Sequence, residues 1–507
     1  MSVPILQPNS TWFTPNISTI KRNTITTINI VDSYVPSDTV TDSWDASVVQ
    51  DGGIMCYVED TILTIAGNGS GKILTNADSS YMFSDANRAD FFTKVTTVTG
   101  LNLLDTAHTT DMNRMFLQMQ SVTGLDVSGF NTSKVTDMSM MFAYCYVITD
   151  IPVSNFDTSA CTTLYAMFFR CWILPYIDVS NWDVSNVTNL SYTFDECKKL
   201  EIIDVSKWDT SKVTTLFLTF QQCNVVKELD VSNWDVSNVT DMSFVFYNCD
   251  GLTTLAVENW DVSNVLSFDH MFAHCNNLVV DVSKWKTSPN CKYYCAMFHS
   301  NANTYLDVSG FNTSGAISMF SMFEANYKLE KIDGLQNFDT SNCHAFEEMF
   351  NNCYKLKELD LSSFDTRKAD SDTTARSDGS TYTSQCTNGM IIGCRSLEKI
   401  TLGDNFTFAG DGTTTVASYI SKLPTPSATY VSGATGNWYT KDGTEYAVAD
   451  IPNLTYATYY ASPIIVDNLT VVITNKVLKN IANAIRAKNG STDKYYPSDF
   501  AAEILKL

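Results

Sequence analysis

Histidine is scarce in this 507-residue chain, with only five: His108, His270, His274, His299 and His344. None lies in a triad-like motif, and there is no P-loop, HExxH or GxSxG, so the common sequence signs of enzymatic chemistry are missing. Cys291, Cys295 and His299 follow one another with three residues between, a spacing that fits no common zinc class. Basic residues are few and scattered, 33 Lys+Arg against 55 Asp+Glu, for a formal net charge of −22. That balance argues against nucleic acid or an anionic membrane surface as a partner. No apolar run is long enough to cross a bilayer, so membrane insertion is not expected. The first residues lack the basic and apolar stretches of a secretory leader, and neither a lipobox cysteine nor a wall-sorting tail is found.

What the chain has is a fixed period. A Phe, usually preceded by Met, recurs at Phe116, Phe142, Phe168, Phe194, Phe220, Phe246, Phe272, Phe298, Phe323 and Phe350, almost always 26 residues apart. One unit of that length does not bury its own apolar face and must stack on a neighbour, which predicts a solenoid. A hydrophobic content of 44% with 12% aromatics fits a fully folded chain.

The unit from Leu125 to Cys145 shows how one coil is expected to fold. Leu125 and Val127 alternate with polar residues, as in a short half-buried strand. Asn131, Thr132 and Ser133 favour a turn. Val135, Met138, Phe142 and Cys145 then share one helical face, with Thr136 as N-cap and Asp137 in the first turn. The fold class expected is an α/β solenoid, a leucine-rich-repeat-like array of about ten 26-residue strand-turn-helix coils.

Four further columns keep the same register. Phe130, Phe156, Trp182, Trp208, Trp234, Trp260, Trp285, Phe311, Phe338 and Phe364 read first as core at the corner of the coil, with a carbohydrate platform as the alternative. Cys145, Cys171, Cys197, Cys223, Cys249, Cys275, Cys353 and Cys394 sit three places after an anchor, as a buried ladder of free thiols acting as small hydrophobes. Asp178, Asp204 and Asp230, with Asp183, Asp209 and Asp235, read as caps of turn amides; Ca2+ between stacked carboxylates is the alternative, and no other cofactor or metal is expected.

The words Asp-Val-Ser-Asn-Trp-Asp-Val-Ser-Asn-Val-Thr-Asp-Met at 230–242 and Met-Phe-Ala-His-Cys at 271–275 resemble the BspA-like leucine-rich-repeat surface proteins, over about residues 80–402. That resemblance implies a cell-surface or adhesive role and no catalytic residue. Ile481-Ala482, Ala484-Ile485, Lys488, Gly490-Ser491-Thr492, Pro497, Phe500-Ala501 and Ile504 resemble a segment of tailed-bacteriophage tail and baseplate proteins. The domain order expected is a β-rich region at 1–78, repeats at 79–405, a β-type cap at 406–465 and a helical tail at 466–507.

Between Phe350 and Ile391 the step is 41 instead of 26, which places an insertion at about 367–384. Its Arg367, Lys368, Arg376 and Tyr382 are candidate host-contact residues, since repeat insertions emerge as loops on one face. Val477, Leu478, Ile481, Ile485, Phe500 and Ile504 are candidates for docking to a virion. The functional expectation is a non-enzymatic, tail-associated bacteriophage virion protein, assembled in the host cytoplasm, which attaches to the host. Its expected partners are other virion proteins and a host cell-surface glycan or protein, with a homo-oligomer left open. A bacterial surface adhesin and a glycan-degrading tail enzyme are the alternatives.

Overall fold

A computed structural model describes residues 2–369, 389–409 and 420–463, together with the backbone of Thr374–Ala375 and Thr381–Tyr382. Arg376 and the proposed tail helices fall outside these residues.

The expected strand-turn-helix coil does not form. Among the described residues the only helical segments are four 3-10 turns of three residues, none of them in the Met-Phe regions. The hydrogen bonds give the reason. The amides of Met112, Arg114, Phe116 and Gln118 donate to the carbonyls of Asp137, Ser139, Met141 and Ala143 in the next coil, at 2.9–3.0 Å. The amides between them, of Met115, Leu117 and Met119, turn back to Met112, Arg114 and Phe116 at 3.1–3.3 Å. An α-helix requires successive amides to return within the segment, whereas here alternate ones leave it. Three-residue turns still bring Val135, Met138, Phe142 and Cys145 inward. This is the spacing that resembles a helical face in sequence.

The alternation imposes left-handed backbone at two positions per coil. Arg114 and Gln118 have φ of 58° and 63°, Met140 and Tyr144 of 56° and 61°, and the pattern continues to Glu348 and Asn352. Such a conformation costs roughly 1–2 kcal/mol for an L-residue, and the inter-coil hydrogen bonds hold it. None of these positions carries Val, Ile or Thr, whose branched Cβ tolerates positive φ least.

On another side of each coil, parallel bridges link Asp111, Asp137, Thr163, Asn189, Thr215, Asp241, Ser267, Tyr293, Ser318 and Ala345 in sequence. Thr136 is not an N-cap: its amide and hydroxyl both donate to Thr110 O, at 2.9 and 3.2 Å, as a rung of this ladder. A third side forms short parallel strands, Thr254–Leu255 beside Val279–Val280, Tyr305–Asp307 beside Lys331–Asp333, and Glu358–Leu361 beside Lys399–Leu402.

Inside, the anchors stack in one unbroken file from Phe83 to Phe350, with centroids 5.2–6.0 Å apart and planes within 20°. The corner column is core as well. Trp182, Trp208, Trp234 and Trp260 are at most 4% exposed, and each indole donates to a valine carbonyl one coil back at 3.1–3.2 Å. All thirteen described cysteines are free and buried. The thiols of the ladder do more than fill space. Cys145, Cys171, Cys197, Cys223, Cys249, Cys275, Cys353 and Cys394 each donate to the anchor carbonyl of the preceding coil, at 2.9–3.4 Å. Burial pushes the Cys145 thiol up to about 12, so it stays protonated and remains a donor.

Both ends of the stack are closed by sheets. The first has Asp42–Asp45, Met55–Glu59, Ile62–Ala66, Thr27–Val31 and Thr97–Thr99 in that spatial order. At the other end Lys399–Leu402 pairs antiparallel with Ala457–Tyr460, which carries Trp438–Tyr439 beyond it.

Two stability measurements follow. Phe246→Ala removes a fully buried ring from the middle of the file and is expected to cost about 3–5 kcal/mol in denaturant unfolding. At Gln222, φ 56°, Gln222→Val is expected to lower the unfolding free energy while Gln222→Gly leaves it unchanged or raises it by up to about 1 kcal/mol, in the same denaturant measurement.

Candidate recognition surface

Arg367 and Lys368 are ordinary coil residues rather than part of a projecting loop. Arg367 folds back on Asp365 through Nε and a terminal nitrogen, at 2.9 and 2.6 Å, and its amide donates to the same carboxylate. It takes the position that Ser holds in the other Asp-x-Ser turns. Lys368 Nζ reaches Asn342 Oδ1 one coil back, at 3.4 Å. Tyr382 lies in a two-stranded antiparallel pair, Thr381–Tyr382 with Thr374–Ala375. Arg376 lies outside the described residues, as do Val477, Leu478, Ile481, Ile485, Phe500 and Ile504. The coil nevertheless closes across the insertion, since the amides of Phe350 and Asn352 donate to Met390 and Ile392 at 2.9 and 2.8 Å.

The turn edge of the stack carries half-buried Tyr144, Arg170, Gln222 and His274. Its aromatic rings are committed to one another. Tyr146 stacks on Trp172 at 4.1 Å and Lys198 covers the same indole at 5.1 Å, while Arg170 lies over Phe169 and Tyr144 at 4.9 and 5.5 Å. Glu196 binds Arg170, Lys198 and the Trp172 indole N–H together. Rings stacked along the coil axis present edges to solvent, so this strip offers few open faces to a ligand.

The strand side is different. Tyr176, Ile202, Val279 and Tyr305 point outward in one register and are 51%, 62%, 48% and 46% exposed. In this column Glu201 N donates to Pro175 O and Val279 N to Thr253 O, both at 2.9 Å, but residues 227–229 take no backbone hydrogen bond from either neighbouring coil. The local sequence departs from its neighbours here. Val226 occupies a place held by Leu200, Leu252 and Leu278 in nearby coils, and Gly251 lies against it so tightly that a Cβ there would meet Val226 O at 2.3 Å.

Two seams therefore open beside residues 227–229. One groove of about 560 Å3 is lined by Glu201, Ile202, Ile203, Val225, Lys227 and Glu228. The next, about 600 Å3, shares Lys227 and Glu228 and continues past Asp230 and Gly251 to Ala256. A third, about 530 Å3, shares Thr254, Leu255 and Ala256 and runs to Asp307. Together they make one trough along the coil axis, of a kind no motif in the sequence announced.

The aspartate columns cap turns. Asp178, Asp204 and Asp230 each accept both the amide and hydroxyl of the serine two residues on, while Asp183, Asp209 and Asp235 accept its amide. The Ser206 and Ser232 hydroxyls hold the Asp204 and Asp230 carboxyls below the usual range. Cys291, Cys295 and His299 do not converge: the Cys295 thiol donates to Ser318 Oγ at 3.0 Å, while the Cys291 thiol points to Tyr293 O. Among the described residues no group of three His, Cys, Asp or Glu is arranged to hold a metal ion.

This geometry defines a class: a repeat protein whose coils are tied edge to edge by backbone hydrogen bonds, with a long accessible surface. Its sequence matches the family described as "Mycoplasma protein of unknown function, DUF285" at 77–174, 162–285, 216–329 and 281–388, more than half the chain. The chain belongs to that family. No curated protein and no solved structure matches it.

One carboxyl tests the electrostatics of the turn edge. Asp195 is 2% exposed, and burial, with Glu196 beside it, pushes its carboxyl up to about 8. Its ordinary unfolded value is about 3.9, so its contribution to stability is complete below about pH 4 and is lost as pH rises through the folded value. Asp195→Asn is expected to flatten the stability loss between acid and mildly alkaline pH, by up to a few kcal/mol at about 1.4 per unit, in urea titrations.

Proposed function

We propose that the chain is a non-enzymatic recognition protein that presents its coil stack to solvent and adheres to a cell surface through the strand-side trough. The observation that carries this reading is the trough itself. Large apolar side chains are exposed there in register, and such patches mark interaction sites. A stacked array also supplies extended surface in place of closed pockets, which suits adhesion.

The finer reading is a tail-associated structural protein of a bacteriophage virion, assembled in the host cytoplasm, with residues 475–507 carrying the docking positions. The resemblance of 481–504 to tail and baseplate proteins supports it. A cell-surface adhesin is the second reading, favoured by the family's mycoplasmal description. In the virion reading, the chain appears in mass spectra of intact, purified phage, and deletion of 475–507 leaves a folded protein that no longer incorporates. Added purified chain is expected to slow phage adsorption to the host. Absence from purified particles would sink the virion reading, and unimpaired adsorption at saturating protein would sink adhesion by this chain. Clearing of host capsule by the purified protein would instead establish the glycan-degrading alternative.

A further inference from the structure

The trough has a chemistry that selects its occupant. Its lining carries five carboxylates, Glu201, Glu228, Asp230, Asp281 and Asp307, against a single cation, Lys227. Serine donors hold the Asp230 and Asp281 carboxyls below the usual range, so both remain ionised in mildly acidic solution. Glu201 and Glu228 are exposed and make no side-chain hydrogen bond or ion pair, and Lys227 is the one cation lining the groove with them. Between these acids lie Ile202, Val225 and Val279, and backbone carbonyls at 227–229 that receive no amide from a neighbouring coil.

Resting on the adhesive reading of this same surface, we propose that the trough binds an extended basic peptide segment of the partner, in which Lys or Arg alternates with aliphatic residues. From Ile202 to Tyr305 the trough crosses four coil steps, about 19 Å at strand spacing, which an extended segment of roughly six residues spans. Its aliphatic side chains cover Ile202 and Val279, and its cations enter the seams, where carboxylates and free carbonyls both accept hydrogen bonds. Complementary charge makes the association salt-sensitive and discriminates against acidic segments. Neutral glycan satisfies the polar groups but leaves the carboxylates unpaired, and acidic glycan is repelled.

Fluorescence anisotropy of the whole chain with a labelled peptide alternating lysine and valine tests this. The expected result is saturable binding that weakens with salt, with no binding of the matching glutamate–valine peptide. The double variant Glu201→Lys with Glu228→Lys is expected to lose at least about tenfold in affinity, at an unchanged melting temperature. Ile202→Ser serves as a second variant that leaves the charges intact and weakens binding less. Equal binding of the two peptides, or full affinity in the folded charge-reversal variant, would overturn the proposal. Trough variants that lose cell binding while the lysine–valine peptide fails to bind would overturn the peptide assignment and leave adhesion standing.

Discussion

Everything in this molecule depends on where every second amide of the Met-Phe segment sends its hydrogen. Because alternate N–H groups cross to the next coil, each coil is incomplete without its neighbour. The left-handed residues follow from that alternation, and so does the file of anchor rings, since coils tied at this spacing bring equivalent side chains into contact. The thiol ladder has the same origin. An anchor carbonyl already serving one amide accepts a second donor from the following coil, and cysteine supplies it. Where the ladder lacks cysteine, Asn301 and Asn326 donate to Phe272 and Phe298 at 2.7 Å. The position selects for a small donor as well as for bulk.

Much of this was legible in the sequence and some was not. The period gave the stacking, and the columns gave the core: Trp182 through Trp260 lie where the corner reading put them. The helix was a misreading with a physical cause, because three-residue turns and a helix both place inward residues three or four apart. Side-chain spacing reports only which residues face inward. The destination of the amides, which separates the two structures, leaves no mark on apolar periodicity. A usable sign did exist: positions two before and two after each anchor avoid β-branched residues, and the last of them is Gly393, at φ 83°.

The surface was less legible for a different reason. A loop such as Arg367–Lys368 attracts notice because it adds residues to a regular pattern, yet both residues are absorbed into standard turns. The trough runs where the hydrogen-bond rungs beside residues 227–229 are missing, and the destination of those amides is again invisible in the sequence.

The missing rungs also have a mechanical meaning. The inter-coil hydrogen bonds run along the stack, so tension applied at its two ends loads them in series, and each junction bears the full force. The junctions on either side of residues 227–229 keep their ties along the turn edge and the bridge ladder but have none on the strand face. The junction between residues 149–153 and 175–178 has no strand-face tie either, so at these places bending is resisted on the other sides of the coil alone. Resistance to bending is therefore uneven around the coil, with the turn edge and the bridge ladder carrying it wherever the strand face has no rung.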